Sequence, residues 1–212
     1  MNQRELTQRV ALGEGRFQEF KRRVPQPERI AKEVVALANT VGGTVFLGVD
    51  DDGTIVGLRD AEEEEYALKE ALEIHCTPPV RLRIERVSIS RKRDVIVVYV
   101  PDSDAKPHYV QYEAKRTAYI RVDEVSREAS REAVRLMKTQ HRGDGVRFEF
   151  GDKEMLLMRY LDQYGRITVE KFAQIAHVPK KRASHTLVLL TRAQVLELHS
   201  TEDGDYFTAA AK

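Results

Sequence analysis

Three groups of residues in the first quarter of the chain could do chemistry by type and spacing. Glu14 and Glu19 stand five residues apart, and Lys21-Arg22-Arg23 follows directly. Asn39-Thr40-Val41-Gly42-Gly43 forms a polar corner closed by glycines. Asp50-Asp51-Asp52-Gly53 is an acidic turn behind the apolar run Thr44-Val45-Phe46-Leu47-Gly48-Val49. Carboxylates gathered by a fold from separate segments can hold a hard divalent cation through oxygen ligands. Such a cation can activate water and stabilise charge on a phosphoryl group. Composition alone reads the same residues more plainly. An Asp-rich turn ending in glycine is first of all a solvated turn, and isolated glutamates are surface charges. Lys21 can neutralise a phosphate oxygen or simply complete an ion pair. Asn39 and Thr40 are expected to cap and shape the backbone, with Gly42 and Gly43 supplying positive φ.

The elements that must position these residues alternate between strands and helices over about the first 140 residues. Residues 3–12 read as a short helix and 17–20 as a short strand. Pro27 opens a helix through Asn39 whose apolar face is Ile30, Val34, Val35, Leu37 and Ala38. Residues 44–49 form a buried strand, and Ile55-Val56 returns antiparallel beside it. A helix follows over about 60–75, then strands over 80–87 and 94–100, shorter strands near 108–112 and 118–122, and a helix over 126–139. His141-Arg142-Gly143-Asp144-Gly145 reads as linker, which places domains at 1–141 and 151–212 with a connection at 142–150. Beyond it come helices over 155–164, 169–177 (capped by Thr168) and 179–192, then strands at 195–198 and 206–208. Three helices followed by a hairpin is the order of a winged helix-turn-helix.

Composition narrows the function. The 212 residues include 35 basic and 34 acidic side chains, a formal net charge of +1, so uniform cationic coating for nucleic acid is excluded and local patches must carry any such role. Cys76 is the single cysteine, which rules out an internal disulfide and a multi-cysteine zinc site. No Gly-x4-Gly-Lys-Ser/Thr loop exists, so there is no P-loop nucleotide site. The six histidines do not cluster. With no signal-peptide pattern at Met1 and no run of about 18 apolar residues, the expectation is a cytoplasmic protein without membrane contact.

The string Glu14-x4-Glu19-Phe20-Lys21, then Ala38-Asn39-Thr40-x-Gly42-Gly43-x3-Leu47-Gly48-Val49-Asp50-Asp51, resembles the Schlafen AlbA-like domain over roughly residues 12–138. The resemblance implies an α+β fold, an AlbA-like domain with a mixed β-sheet and flanking helices, here followed by a small winged-helix domain. Bacterial members are labelled DNA-binding or ATP-binding. In some animal members three carboxylates form a metal-dependent endoribonuclease site that cuts transfer and ribosomal RNA. The matching positions here are Glu14, Glu19 and Asp51, which would be both catalytic residues and ligands of Mn²⁺ or Mg²⁺. Two features depart from the animal pattern: this chain has one lobe where that core has two, and it lacks the Cys/His zinc site. A homodimer would supply the second lobe.

Cations expected to meet nucleic acid are Lys21, Arg22 and Arg23 beside the carboxylates, and Lys180, Lys181 and Arg182 at the start of the third C-terminal helix. From Gly151 to Lys212 there are nine basic and eight acidic residues, yet residues 178–192 contain no acid. Ser184 and His185 follow one turn on, and Leu187, Leu189 and Leu190 are expected to pack inward. The leading expectation is a nucleic-acid-binding protein, with metal-dependent cleavage of structured RNA such as tRNA. The alternatives are a non-catalytic DNA-binding transcriptional regulator and a protein-interaction scaffold.

Overall fold

A computed structural model describes residues 1–139 and 150–211. The chain divides into two compact units, Met1–Ala129 and Ser130–Lys212. Apart from Phe150, the linker expected at 142–150 lies outside the described residues, as does His141.

The first unit runs α1 (Gln3–Val10), β1 (Gln18–Lys21), α2 (Pro27–Asn39), β2 (Gly43–Leu47), α3 (Ala61–His75), β3 (Cys76–Thr77), β4 (Arg83–Ser90), β5 (Arg93–Val100), β6 (Tyr109–Tyr112), β7 (Lys115–Thr117), β8 (Tyr119–Val122) and β9 (Val125–Glu128). Its main sheet has the order β1-β2-β5-β4, with β1 parallel to β2 and the other pairs antiparallel. The sheet is therefore mixed. Smaller sheets pair β3-β6-β7 and β8-β9.

Both faces of the central strands are covered, which is why β2 and β5 read as continuous apolar runs rather than alternating ones. Val45, Leu47, Ile96 and Val98 join Ile30, Val34 and Leu37 of α2 and Leu68 and Leu72 of α3 in one core cluster. Phe46, Val95 and Val97 point the other way, into a cluster with Leu6 and Val10 of α1, Phe20 of β1 and Val87 of β4. Phe20 and Phe46 meet edge-on with ring centroids 5.8 Å apart.

Several expected boundaries move. The strand expected at 80–87 begins at Arg83 and runs to Ser90; Val80 and Leu82 are half-buried against the core without pairing. The helix expected at 126–139 begins only at Arg131. Asp123, at φ +49°, turns the chain back on itself, so that Val122 pairs with Val125 and Tyr119 with Glu128. Ser130 then caps the helix, its hydroxyl accepting from the Ala133 amide at 3.0 Å.

The second unit contains α4 (Arg131–Thr139), α5 (Asp152–Tyr164), α6 (Val169–Ile175), α7 (Lys180–Arg192), and an antiparallel hairpin of β10 (Leu196–Thr201) and β11 (Gly204–Ala209). Gly165, at φ +75°, ends α5, and the Thr168 hydroxyl caps α6 by accepting from the Lys171 amide at 3.2 Å. Leu157, Leu161, Phe172, Leu187, Leu190, Leu196 and Phe207 form its core. Leu187 and Leu190 pack inward as expected and Val188 is buried with them, whereas Leu189 is only half-buried. Among the described residues no helix is long and apolar enough to cross a membrane.

Candidate functional site

The site is built on the corner between α2 and β2. The buried Asn39 amide donates to the carbonyls of His108 and Tyr119 at 2.8 Å each, and its Oδ1 accepts from the His108 amide at 2.7 Å. It ties α2 to β8 and to the segment leading into β6. Thr40 returns its hydroxyl to the Ala36 carbonyl and accepts from the Arg121 amide, both at 2.8 Å. Gly42 has φ +73°, and a Cβ there would lie 2.6 Å from the Asp102 nitrogen. Gly43 does not take positive φ as expected. Its lack of a side chain serves close approach, since a Cβ would fall 2.6 Å from the Phe17 carbonyl oxygen. That approach lets β1 pair with β2, Glu19 opposite Val45. Replacing Asn39 by Ala strands the His108 amide and two carbonyls, and should cost about 2–3 kcal/mol. Urea unfolding checks this; a loss below about 1 kcal/mol would contradict it.

Glu14 and Glu19 converge around β1. The Glu14 Oε1 accepts from the Phe20 amide at 2.7 Å and lies 4.0 Å from the Lys21 Nζ. Glu19 is only 7% exposed, and its two oxygens are taken separately, one by the Lys21 ammonium and the other by the Arg121 guanidinium. Lys21 also donates to the Phe20 carbonyl at 2.7 Å. Asp51 stands on the exposed turn closed by the Gly53 amide on the Asp50 carbonyl at 2.8 Å. Asp50 itself faces Arg22 at 3.5 Å.

The charges sense one another. Burial pushes the Glu14 carboxyl above its ordinary value; the Phe20 amide and the Lys21 charge oppose this, and the negative charges of Glu19 and Asp51 add to it. Burial works to lower the Lys21 ammonium, but the bond to Glu19 and the charges of Glu19, Glu14 and Glu33 overcome it and hold it raised. A carboxyl raised in the folded state costs stability while ionised, above its ordinary value of 4.5, and the cost fades as pH falls. Glu14→Gln keeps an oxygen for the Phe20 amide. It should therefore leave the first unit as stable or more stable at pH 7, with the advantage shrinking as pH approaches that ordinary value. Thermal melts across this range check it; a destabilised variant at pH 7 would contradict it.

Cations expected to face nucleic acid fall into two groups. Lys21 is committed to Glu19, while Arg22 and Arg23 are exposed. In the second unit Lys180 pairs with Glu170 at 3.0 Å, and Lys181, Arg182 and His185 are exposed. Ser184 does not join them: it is 5% exposed, its hydroxyl donating to Glu132 and accepting from the Arg135 Nη1 at 2.8 Å.

Residues 14–130 match the family model "Schlafen, AlbA_2". The chain belongs to the Schlafen AlbA_2 family. Membership suggests a nucleic-acid-related function. Among solved structures, the N-terminal domain of an ATP-dependent DNA helicase RecG-related protein from Nitrosomonas europaea is similar at 24% identity, with TM-score 0.45, covering 60% of this chain and 90% of that one. A Corynebacterium diphtheriae protein is similar at 17% identity, with TM-score 0.45, covering 92% of this chain and 34% of that one. No curated protein matches the chain.

In this AlbA_2 domain the donor set does not fit a cation held by three carboxylates. Among the described residues no three His, Cys, Asp or Glu side chains gather as ligands. Glu19 has both oxygens in ion pairs, and Glu14 gives one to a backbone amide.

Sequence reasoning missed the residue at the centre. Arg121 is 1% exposed; besides Glu19 it meets Glu33 at 3.0 Å, the Ser126 hydroxyl at 3.2 Å, and the Gly15 carbonyl at 3.0 and 3.1 Å. It thereby anchors the Glu14-bearing turn and β1 to β8 and α2. The signal was present: a guanidinium between Ile120 and Val122, and Glu33 beside Val34 in an apolar helix, are charges that burial tolerates only in pairs.

His108 and Cys76 are structural. His108 is buried, its Nδ1 2.7 Å from the Pro78 carbonyl and its Nε2 2.6 Å from the Ser103 hydroxyl, and burial lowers its pKa. Burial pushes the Cys76 thiol up to about 12, which suppresses the thiolate.

Proposed function

We propose that this protein binds nucleic acid through the sugar-phosphate backbone, with the second unit acting as a winged helix-turn-helix. One observation carries the reading: α7 opens on Lys180, Lys181 and Arg182, all exposed, and contains no acidic residue. A cationic first turn opposes the helix dipole and so works against stability. Facing phosphate, the same charges become favourable and release counterions. The order α5, α6, α7, hairpin supports the same reading, in which α7 is the recognition helix. Family membership supports it independently.

The test is fluorescence anisotropy with labelled duplex DNA and labelled structured RNA across about 50–200 mM salt. Binding should weaken steeply with salt. Lys181→Ala with Arg182→Ala should reduce the slope of log affinity against log salt by about two. Absence of binding to either nucleic acid at low salt overturns the reading in favour of a protein-interaction scaffold. Preference for palindromic duplex DNA would mark a regulator.

A second reading, phosphodiester cleavage at Glu14, Glu19 and Asp51, is supported by the convergence of the Glu14 and Glu19 carboxylates on the Lys21 ammonium. It requires Glu19 to leave Lys21 or Arg121. Structured RNA that stays intact in Mn²⁺ rejects it; cutting that chelator and Glu14→Gln both abolish supports it.

A further inference from the structure

Helix α4 belongs with the second unit, and its contact with α7 has a definite chemistry. The Arg135 guanidinium donates to the Ser184 hydroxyl, which donates in turn to the Glu132 carboxylate. Ser184 is buried at this seam. On α4, Arg131, Arg135 and Lys138 recur at i, i+4 and i+7, the spacing of one helical stripe. On α7, Lys180 and Lys181 lie four and three residues before Ser184, one turn away on the face that carries it. The Arg135–Ser184 bond therefore joins two cationic rows. Glu132 is the one acidic residue of α4, and its carboxylate is committed to Ser184. Arg131 and Lys138 are exposed.

We propose that α4 and α7 form one phosphate-binding surface, in which Arg131 and Lys138 extend the nucleic-acid contact beyond α7. This rests on the nucleic-acid reading above and names a second helix as part of it. The contact is with backbone phosphate and carries no base preference. Ser184 contributes by fixing α4 to α7 and does not touch the ligand.

The experiment measures duplex DNA and structured RNA binding by anisotropy, at several salt concentrations, with the full chain. Four proteins are compared: wild type, Arg131→Ala/Lys138→Ala, Lys181→Ala/Arg182→Ala, and Arg91→Ala/Lys92→Ala at the β4–β5 hairpin tip of the first unit. The last has lost the same charge elsewhere. Both α4 positions are exposed, and unchanged melting curves confirm the fold. The expected result for the α4 variant is about tenfold weaker binding near 0.1 M salt and a salt slope reduced by about two, with the hairpin variant close to wild type. If the α4 variant keeps the wild-type slope while the α7 variant loses it, the extended surface is overturned and the nucleic-acid reading stands. If wild type does not bind, the nucleic-acid reading falls and this inference with it; if wild type binds and neither helix variant changes binding, the interface lies elsewhere on the chain and this inference is overturned.

Discussion

Arg121→Met should lower the stability of the first unit by about 3–5 kcal/mol, the usual cost of removing one partner from a buried ion pair. The methionine fills the volume but donates nothing. Glu19 loses the guanidinium on one oxygen, Glu33 loses it as well, and the Gly15 carbonyl is left without its two donors. Lys21 still reaches Glu19, whereas among the described residues Glu33 keeps only the Ser126 hydroxyl and Lys32 at 3.9 Å. Against a typical domain stability of about 5–15 kcal/mol, the loss is a large fraction of the whole. The first unit should melt more than about 10 °C earlier. Adding Glu33→Gln removes the carboxylate charge left without a close cation and should restore part of the loss. Urea unfolding of the full chain, with the two units followed separately, measures both effects. A cost below about 1 kcal/mol for Arg121→Met would show that the cluster is solvated and Arg121 dispensable.

Lys181→Glu with Arg182→Glu should abolish measurable nucleic-acid binding at physiological salt, a loss of more than about 100-fold. Two phosphate contacts go, and two repulsive charges replace them. The same change should leave the fold as stable as before or slightly more so. Both side chains are exposed, and acids in the first turn of α7 complement the helix dipole where the native cations oppose it. Opposite signs for binding and stability separate this outcome from general unfolding. Anisotropy and thermal melts on one preparation measure both. Retained binding would place the interface elsewhere on the chain.

Much of the architecture was legible because burial on two faces leaves a direct trace in composition. The apolar runs at 44–49 and 94–100 read as strands, and α2 announced itself through Pro27 and its apolar spacing. The Thr168 cap was read from local capping chemistry, which acts within a few residues. The motif at Glu14, Glu19, Asn39, Gly42, Gly43 and Asp51 carried the resemblance to the family, and the family model covers it.

Where readings failed, the deciding contact was distant in sequence. Ser126-Arg127-Glu128 suits a helix start or a strand locally; pairing with β8 made it a strand. Helix α4 read as the end of the first domain, yet its Glu132 and Arg135 grip Ser184 about fifty residues on. The type and order of the acidic residues near Glu14 came from the sequence, and so did the cations that open α7. What the Glu19 carboxylate faces came from the tertiary structure alone. Arg121 lies about a hundred residues away, and nothing local to either residue says that they meet. The physical reason is that helix, strand and cap signals arise from short-range sterics and hydrogen bonding. The partner of a buried charge is chosen by how separate segments pack, and only the folded chain brings those segments together.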